Sequence, residues 1–257
     1  MKLKSGVLEM TNTETLPPKN QFIDKLSVKD ALKFMLDNQS EVFEILKNKI
    51  DVIEFVVKKI ALRLDQEPEG RLIYAGAGTS ARIGVQDGVE LYPTFGWPKH
   101  RLDFVIAGGM QSLTKSVENA EDNEEDAANR IRELEISFSD VLIGLAASGN
   151  TPFTVMAIKK AREFGALTIG ITNNLNSNIE KASEISILIN TGFEAIAGST
   201  RMKAGTAQKI CLNLISTMLM VHFGKVKNGM MVAMKPNNKK LFTRQKTYKK
   251  FVSMMET

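Results

Sequence analysis

The apolar positions of this chain follow two patterns. Leu32, Met35, Leu36, Val42, Ile45 and Leu46, then Ile50, Ile53, Val56, Val57, Ile60 and Leu64, recur at helical spacing. They predict two helices with a break near Asn38-Gln39-Ser40. Ser27, with Asp30 three residues on, is a variant capping box that opens the first. Beyond Gln66 to Gly70, which read as a turn, the pattern changes to short continuous apolar runs at Leu72 to Ala75, Leu102 to Ala107, Asp140 to Ala147, Ala166 to Thr172 and Ile185 to Ile189. Such runs fit strands buried on both faces. Helical stretches separate them, one with Ala81, Ile83, Val85 and Val89 as its apolar positions and another with Val155, Ile158, Ala161 and Phe164 on one face. Met202 to Phe223 predicts a long buried helix. Met1 to Leu26, polar and carrying Pro17-Pro18, reads as an extended arm. Leu91 to His100, with Pro93, Gly96 and Pro98, reads as a loop in which Trp97 packs. Gly192 to Gly198 is a further loop. Strands alternating with helices indicate an α/β fold with a doubly wound parallel sheet, N-terminal helices and a C-terminal helix. The boundaries expected are an arm and helices over 1–66, a central domain over 67–224 and a basic segment over 225–257.

The stretch from Arg71 to Gly96 organises the rest. A buried strand runs into Gly76-Ala77-Gly78-Thr79-Ser80, where a helix begins. The first N–H groups of a helix are unpaired and its dipole is positive there, so a strand, a glycine turn and a helix start form an anion site. The third glycine of a dinucleotide fingerprint is missing, since Ala81-Arg82 follow; this favours a phosphate on a small molecule. Ser148-Gly149-Asn150-Thr151-Pro152 has a similar make-up after the third strand. Ligands of doubly wound sheets bind beyond the carboxyl ends of the strands. Gly78, Thr79 and Ser80, with Ser148, Gly149, Asn150 and Thr151, are therefore the candidate phosphate contacts, although each hydroxyl taken alone also suits an ordinary N-cap.

Composition narrows the class. The 257 residues are 43% hydrophobic and 25% charged, enough for a sizeable core. A single cysteine, Cys211, excludes an internal disulfide framework and points to a reducing compartment. The start lacks an apolar signal region, so a cytoplasmic protein is expected. Ile210 to Phe223 is too short and polar to span a bilayer. Lys225 to Lys250 carries nine Lys/Arg and no Asp/Glu, leaving −4 on the rest of a +5 chain. Without aromatic interleaving, that run reads as a solvated, partly ordered tail, not a nucleic-acid or membrane surface. His100 and His222 have no partner recognisable in the sequence and read as structural. No metal spacing and no nucleophile elbow occurs, so no metal or cofactor is expected. Carboxylates remain as acid–base candidates. Composition alone makes Glu118 and Glu121 part of a solvated acidic run, ENAEDNEED, that leads into a helix.

DGVELYPTFG at 87–96, VENAED at 117–122, LAASGNTPF at 145–153 and GSTRMKAGTAQK at 198–209 strongly resemble the N-acetylmuramic acid 6-phosphate etherases. These are sugar isomerase (SIS) domain proteins with a flavodoxin-like fold, related to the animal glucokinase regulatory protein. The likeness runs from about Thr13 to about Leu241. It implies cleavage of a phosphorylated amino sugar into D-lactate and N-acetylglucosamine 6-phosphate, no cofactor, and a homodimer with its sites near the interface. The functional acids of the family fall on Glu90 and Glu121. Glu118, Ser199 and Lys203, in matching motifs, are further sugar contacts by likeness. Ala81, Gly88-Val89, Leu91-Tyr92 and Asn150 depart from the family pattern, which usually has glycine, Ala-Ser, Cys-Pro and arginine there. Etherases also continue with a helical segment beyond the point matching Thr257. These departures bear on the exact sugar and on oligomer contacts more than on the phosphate. Two other readings share the fold: a non-catalytic sugar-phosphate regulator and an aldose–ketose isomerase.

Overall fold

The computed structural model describes residues 12–115, 117–236, 242, 243, 247 and 251. Two helices lead, α1 (Val28–Lys47) and α2 (Ile50–Gln66). Then follow β1 (Leu72–Gly76), α3 (Gly78–Phe95), β2 (Leu102–Ile106), α4 (Glu124–Glu133), β3 (Val141–Ala146), α5 (Pro152–Glu163), β4 (Leu167–Thr172), α6 (Asn178–Ala182), β5 (Ile185–Leu188) and α7 (Lys203–His222). A small antiparallel hairpin, β6 (Val226–Lys227) with β7 (Met230–Met231), closes the described fold. The five central strands are parallel in the order β2-β1-β3-β4-β5, the doubly wound flavodoxin-like arrangement expected.

Strand residues alternate between two cores. Leu72, Tyr74, Val141, Ile143, Leu145, Leu167, Ile169 and Ile171 face α1, α2, α3 and α7. Ile73, Ala75, Leu142 and Ala146 face α4, α5 and α6. Burial on both faces is why each strand reads as an unbroken apolar run. Trp97 packs as expected, with its ring 5.2 Å from Phe223 and Nε1 donating to Arg101 O.

Several local expectations are corrected. Ser40 stays helical, its hydroxyl returning to Asp37 O, and the helix break falls instead at Asn48-Lys49. α3 runs through Pro93 to Phe95, where a loop was expected. Proline removes one helical bond in the last turn only, and Gly96 (φ +65°) ends the helix by donating to Tyr92 O while Trp97 N donates to Leu91 O. Val89 and Phe164, expected in the apolar faces of their helices, are exposed. α6, opened by a Ser177–Glu180 capping box, was not anticipated. The described part of the arm is not extended: it makes three short 3-10 turns, and its Thr13 is fully buried. Thr13 N donates to Asn174 Oδ1, Asn174 Nδ2 donates to Thr13 Oγ1, and Gly198 N donates to Thr13 O. The start of the tail is also docked, with Met234 buried and Lys235 N donating to Pro93 O. The rest of the basic run lies largely outside the described residues. His222 does have a partner, Asp65, at 2.7 Å. No helix of the described residues is long and apolar enough to cross a membrane.

One part-buried ion pair ties the sheet together at its amino edge. Asp140 accepts from Arg71 N, Nε and Nη2 and from Ser137 N, at 2.9–3.0 Å. Burial pushes its carboxyl up, but Arg71 and the two backbone donors outweigh that and hold it below its ordinary value. The stability this ionised carboxylate adds is therefore present above its unfolded pKa and lost as pH falls through the folded value. Asp140→Asn removes the nearer counter-charge of the Arg71 guanidinium and leaves it only Asp103, at 3.6 Å. It should cost about 3 kcal/mol in urea denaturation at pH 7 and flatten the acid limb of the stability profile; an unchanged midpoint contradicts this role.

Candidate functional site

Strand order reverses between β1 and β3, so the loops after these two strands diverge and open a crevice. A cavity of about 440 Å³ lies there. Gly78, Thr79 and Ser80 line it from the first turn of α3, and Ser148 and Thr151 from the loop before α5. The question of ordinary capping is answered by the bonds. Ala77, the N-cap of α3, has no side chain able to cap, and Thr151 makes no capping bond at α5. The start of α3 thus presents uncapped first-turn N–H groups to the cavity, while the α5 side adds the hydroxyls of Ser148 and Thr151, since Pro152 has no N–H and Phe153 and Thr154 are fully buried. Ser148 Oγ is partly engaged, accepting from Asn150 N at 3.2 Å. Gly78 has φ +55°, the left-handed conformation that glycine adopts freely.

Glu121 joins this site from the loop after β2. A Cβ placed on Gly78 would stand 2.9 Å from Glu121 Oε1, so the carboxylate lies directly over the glycine turn. Three charged residues singled out by no sequence motif line the same cavity. Glu14, delivered by the docked arm, rests on Gly198: a Cβ there would be 2.6 Å from its Oε2. Arg82 donates from Nε to Leu113 O and from Nη2 to Ser112 O, so it braces the loop after β2. Lys115 lines the cavity from that loop. Only the apposition of the arm with the 192–202 loop, which no periodicity signals, brings Glu14 here.

Other expected contacts lie elsewhere. Glu90 is exposed on α3, twelve residues and about 18 Å along the helix from Gly78. It lines a second cavity, of about 420 Å³, between α3 and α7 with Asp87, Lys209, Asn213 and Thr217. Within one chain Glu90 and Glu121 are therefore not brought together. Below Glu90, buried Asp87 accepts from Tyr74 Oη (2.7 Å), Asn213 Nδ2 (2.7 Å) and Ser216 Oγ (2.9 Å). Burial and Asp87 push the Tyr74 phenol well above its ordinary value and the Cys211 thiol up to about 12. Glu118 is exposed and does not line the Glu121 cavity. Asn150 is turned toward α6, where its Oδ1 accepts from Asn178 N. Gly149 supports the loop from behind, and Ser199 sits between cavity residues Gly198 and Thr200 without lining it. Lys203 is buried away from the cavity, donating to Glu41 Oε2 at 2.9 Å, while Glu194 caps α7 by accepting from Lys203 N and Ala204 N. Burial pushes the Glu194 carboxyl up. Lys203 thus anchors the loop that supplies Gly198 and Thr200.

The family described as the glucokinase regulatory protein N-terminal SIS domain matches residues 52–162. N-acetylmuramic acid 6-phosphate etherases of Bacillus cereus (strain AH187) and Oceanobacillus iheyensis are 42% and 44% identical over 240 residues, 93% of this chain and 81% of theirs. The chain belongs to the N-acetylmuramic acid 6-phosphate etherase family. Solved structures similar in fold include a phosphoheptose isomerase from Neisseria gonorrhoeae (TM-score 0.54, 18% identity, 77% of this chain and 100% of that one). A phosphoheptose isomerase from Francisella tularensis is another (TM-score 0.55, 15% identity, 78% of this chain and 100% of that one). At these identities the likeness shows a shared fold, here in a member of the etherase family.

The loop before α5 gives a direct test. Gly149 has φ +69°, and a Cβ would fall 2.4 Å from Thr172 Oγ1 and 2.3 Å from Ser177 Cβ. Gly149→Ala should lower stability by about 2 kcal/mol and weaken sugar-phosphate binding, measured by urea denaturation and calorimetry. Wild-type values in both would show that the loop is not seated as described.

Proposed function

We propose that this protein is a carbon–oxygen lyase that cleaves the lactyl ether of N-acetylmuramic acid 6-phosphate, giving D-lactate and N-acetylglucosamine 6-phosphate. Membership of the etherase family supports the reaction. The observation that carries it is the carboxylate of Glu121 set over a glycine turn, beside the uncapped start of α3 and the hydroxyls of Ser148 and Thr151, in one cavity. The phosphate binds to the N–H groups and hydroxyls of Gly78, Thr79, Ser80, Ser148 and Thr151. In the ring-opened sugar the aldehyde acidifies the proton on carbon 2. Glu121 takes that proton. The bond from carbon 3 to the ether oxygen breaks, and Glu90 gives the leaving oxygen a proton, releasing lactate and an unsaturated aldehyde. Glu90, now ionised, takes a proton from water as its oxygen adds at carbon 3, and the proton held by Glu121 returns to carbon 2, which restores both carboxyl groups. The catalytic unit is the SIS domain over 67–224, carrying the helices of 1–66 and the segment 225–257.

The separation of Glu90 from Glu121 leads to a homodimer. Val89, Tyr92, Met218 and Val221 are exposed around and beyond the Glu90 cavity. A second copy covering this apolar surface supplies Glu90 to the Glu121 cavity and withdraws both sites from bulk water. The protein works in the cytoplasm, where its lone thiol stays reduced.

Lactate assay tests the reaction. Wild-type protein should release D-lactate from N-acetylmuramic acid 6-phosphate, and Glu121→Gln should lower kcat by at least about 100-fold with KM little changed. Sugar-phosphate binding without lactate release would indicate a regulator. Carbonyl transfer with the ether intact would indicate an isomerase.

A further inference from the structure

The substrate named above carries two anions, the phosphate on carbon 6 and the carboxylate of the lactyl group on carbon 3. The cradle at the starts of α3 and α5 accounts for one of them. The charges of the cavity bear on the other. Two carboxylates line it, Glu121 over Gly78 and Glu14 over Gly198. Two cations line it as well. Arg82 keeps its charge but is held against the backbone of the loop, with Nε donating to Leu113 O and Nη2 to Ser112 O. The Lys115 side chain makes no hydrogen bond or ion pair among the described residues. Its backbone is nevertheless held: Lys115 N donates to Gln111 O, Ser112 N and Oγ both donate to Gly109 O, and Arg82 grips the turn from below. An ammonium on a braced loop, facing a cavity and lacking a partner, is suited to an anionic part of a ligand.

We propose that Lys115 pairs with the lactyl carboxylate and so distinguishes the ether substrate from its product; this rests on the etherase reading. The placement follows from the bonds of the sugar. Glu121 acts at carbon 2, so the carbon 2–carbon 3 edge of the substrate lies against the loop after β2. Lys115 is on that loop, six residues before Glu121, and lines the same cavity. The group on carbon 3 therefore extends along the wall that carries Lys115. Glu14 stands at the Gly198 side, where its negative charge disfavours the lactyl carboxylate. Once the ether is cleaved, the sugar retains its phosphate and loses its contact with Lys115. Product then binds by the phosphate cradle alone, and the enzyme does not hold it as tightly as substrate.

Equilibrium binding in a background that cannot turn over tests this independently of the reaction. Calorimetry with Glu121→Gln and with Glu121→Gln/Lys115→Ala would use N-acetylmuramic acid 6-phosphate and N-acetylglucosamine 6-phosphate as ligands. The added Lys115→Ala change should weaken the lactyl sugar about 10- to 100-fold, the range for a hydrogen bond to a charged group, and leave the product sugar within about twofold, since it loses no charged contact. Lys115→Arg in the same background should restore most of the loss. Equal weakening of both sugars would overturn the proposal and assign Lys115 to the phosphate; no weakening of either would overturn it outright. Failure of the etherase reading shows separately, as absence of D-lactate release by the wild-type protein.

Discussion

The parallel pairing of β1 with β3, with β2 on the far side of β1, is the constraint on which the structure depends. It sends the two following connections to opposite faces, so α3 and α5 start on either side of one crevice. Neither start is capped by its own side chains. In a folded domain, uncapped first-turn N–H groups need water or a ligand. The sheet thus creates an anion site by topology, before any charged side chain is considered. The part-buried Arg71–Asp140 pair ties together the amino ends of the same two strands.

The sheet was legible because its strands are buried on both faces. Residues such as Leu142 and Ile143 are both fully covered, each by a different helical layer, so periodicity vanishes into a plain apolar run. Element ends were less legible where tertiary packing outweighs local preference. Pro93 lies inside α3 because only one bond is lost and Gly96 and Trp97 close the turn behind it. The polar arm docks because Asn174, buried at the end of β4, satisfies Thr13 on both its backbone and its hydroxyl. Nothing near Thr13 in the sequence announces a partner 161 residues away.

The candidate site divides in the same way. The candidate anion cradle followed from glycine and hydroxyl positions at strand ends, a local signal. Glu121 could not be separated by composition from its acidic neighbours, and only family likeness singled it out. Glu14, Arg82 and Lys115 enter the cavity through contacts between distant segments. Glu90 marks the limit of any reading based on motif alone: it shares a motif region with α3 but faces away from the cavity that α3 opens.

Glu121 in one cavity and Glu90 on a separate exposed surface make sense together if two copies each complete the other. In a twofold dimer of that kind, each site takes Glu121 from one chain and Glu90 from the other. The most direct measurement is therefore complementation. Glu90→Gln and Glu121→Gln proteins, each inactive alone, would be unfolded, mixed in equal amounts, refolded together and assayed for D-lactate release. Random pairing gives half heterodimers with one intact site each, so the mixture should recover about a quarter of wild-type activity. A mixture as inactive as its parents would contradict a site shared between two chains.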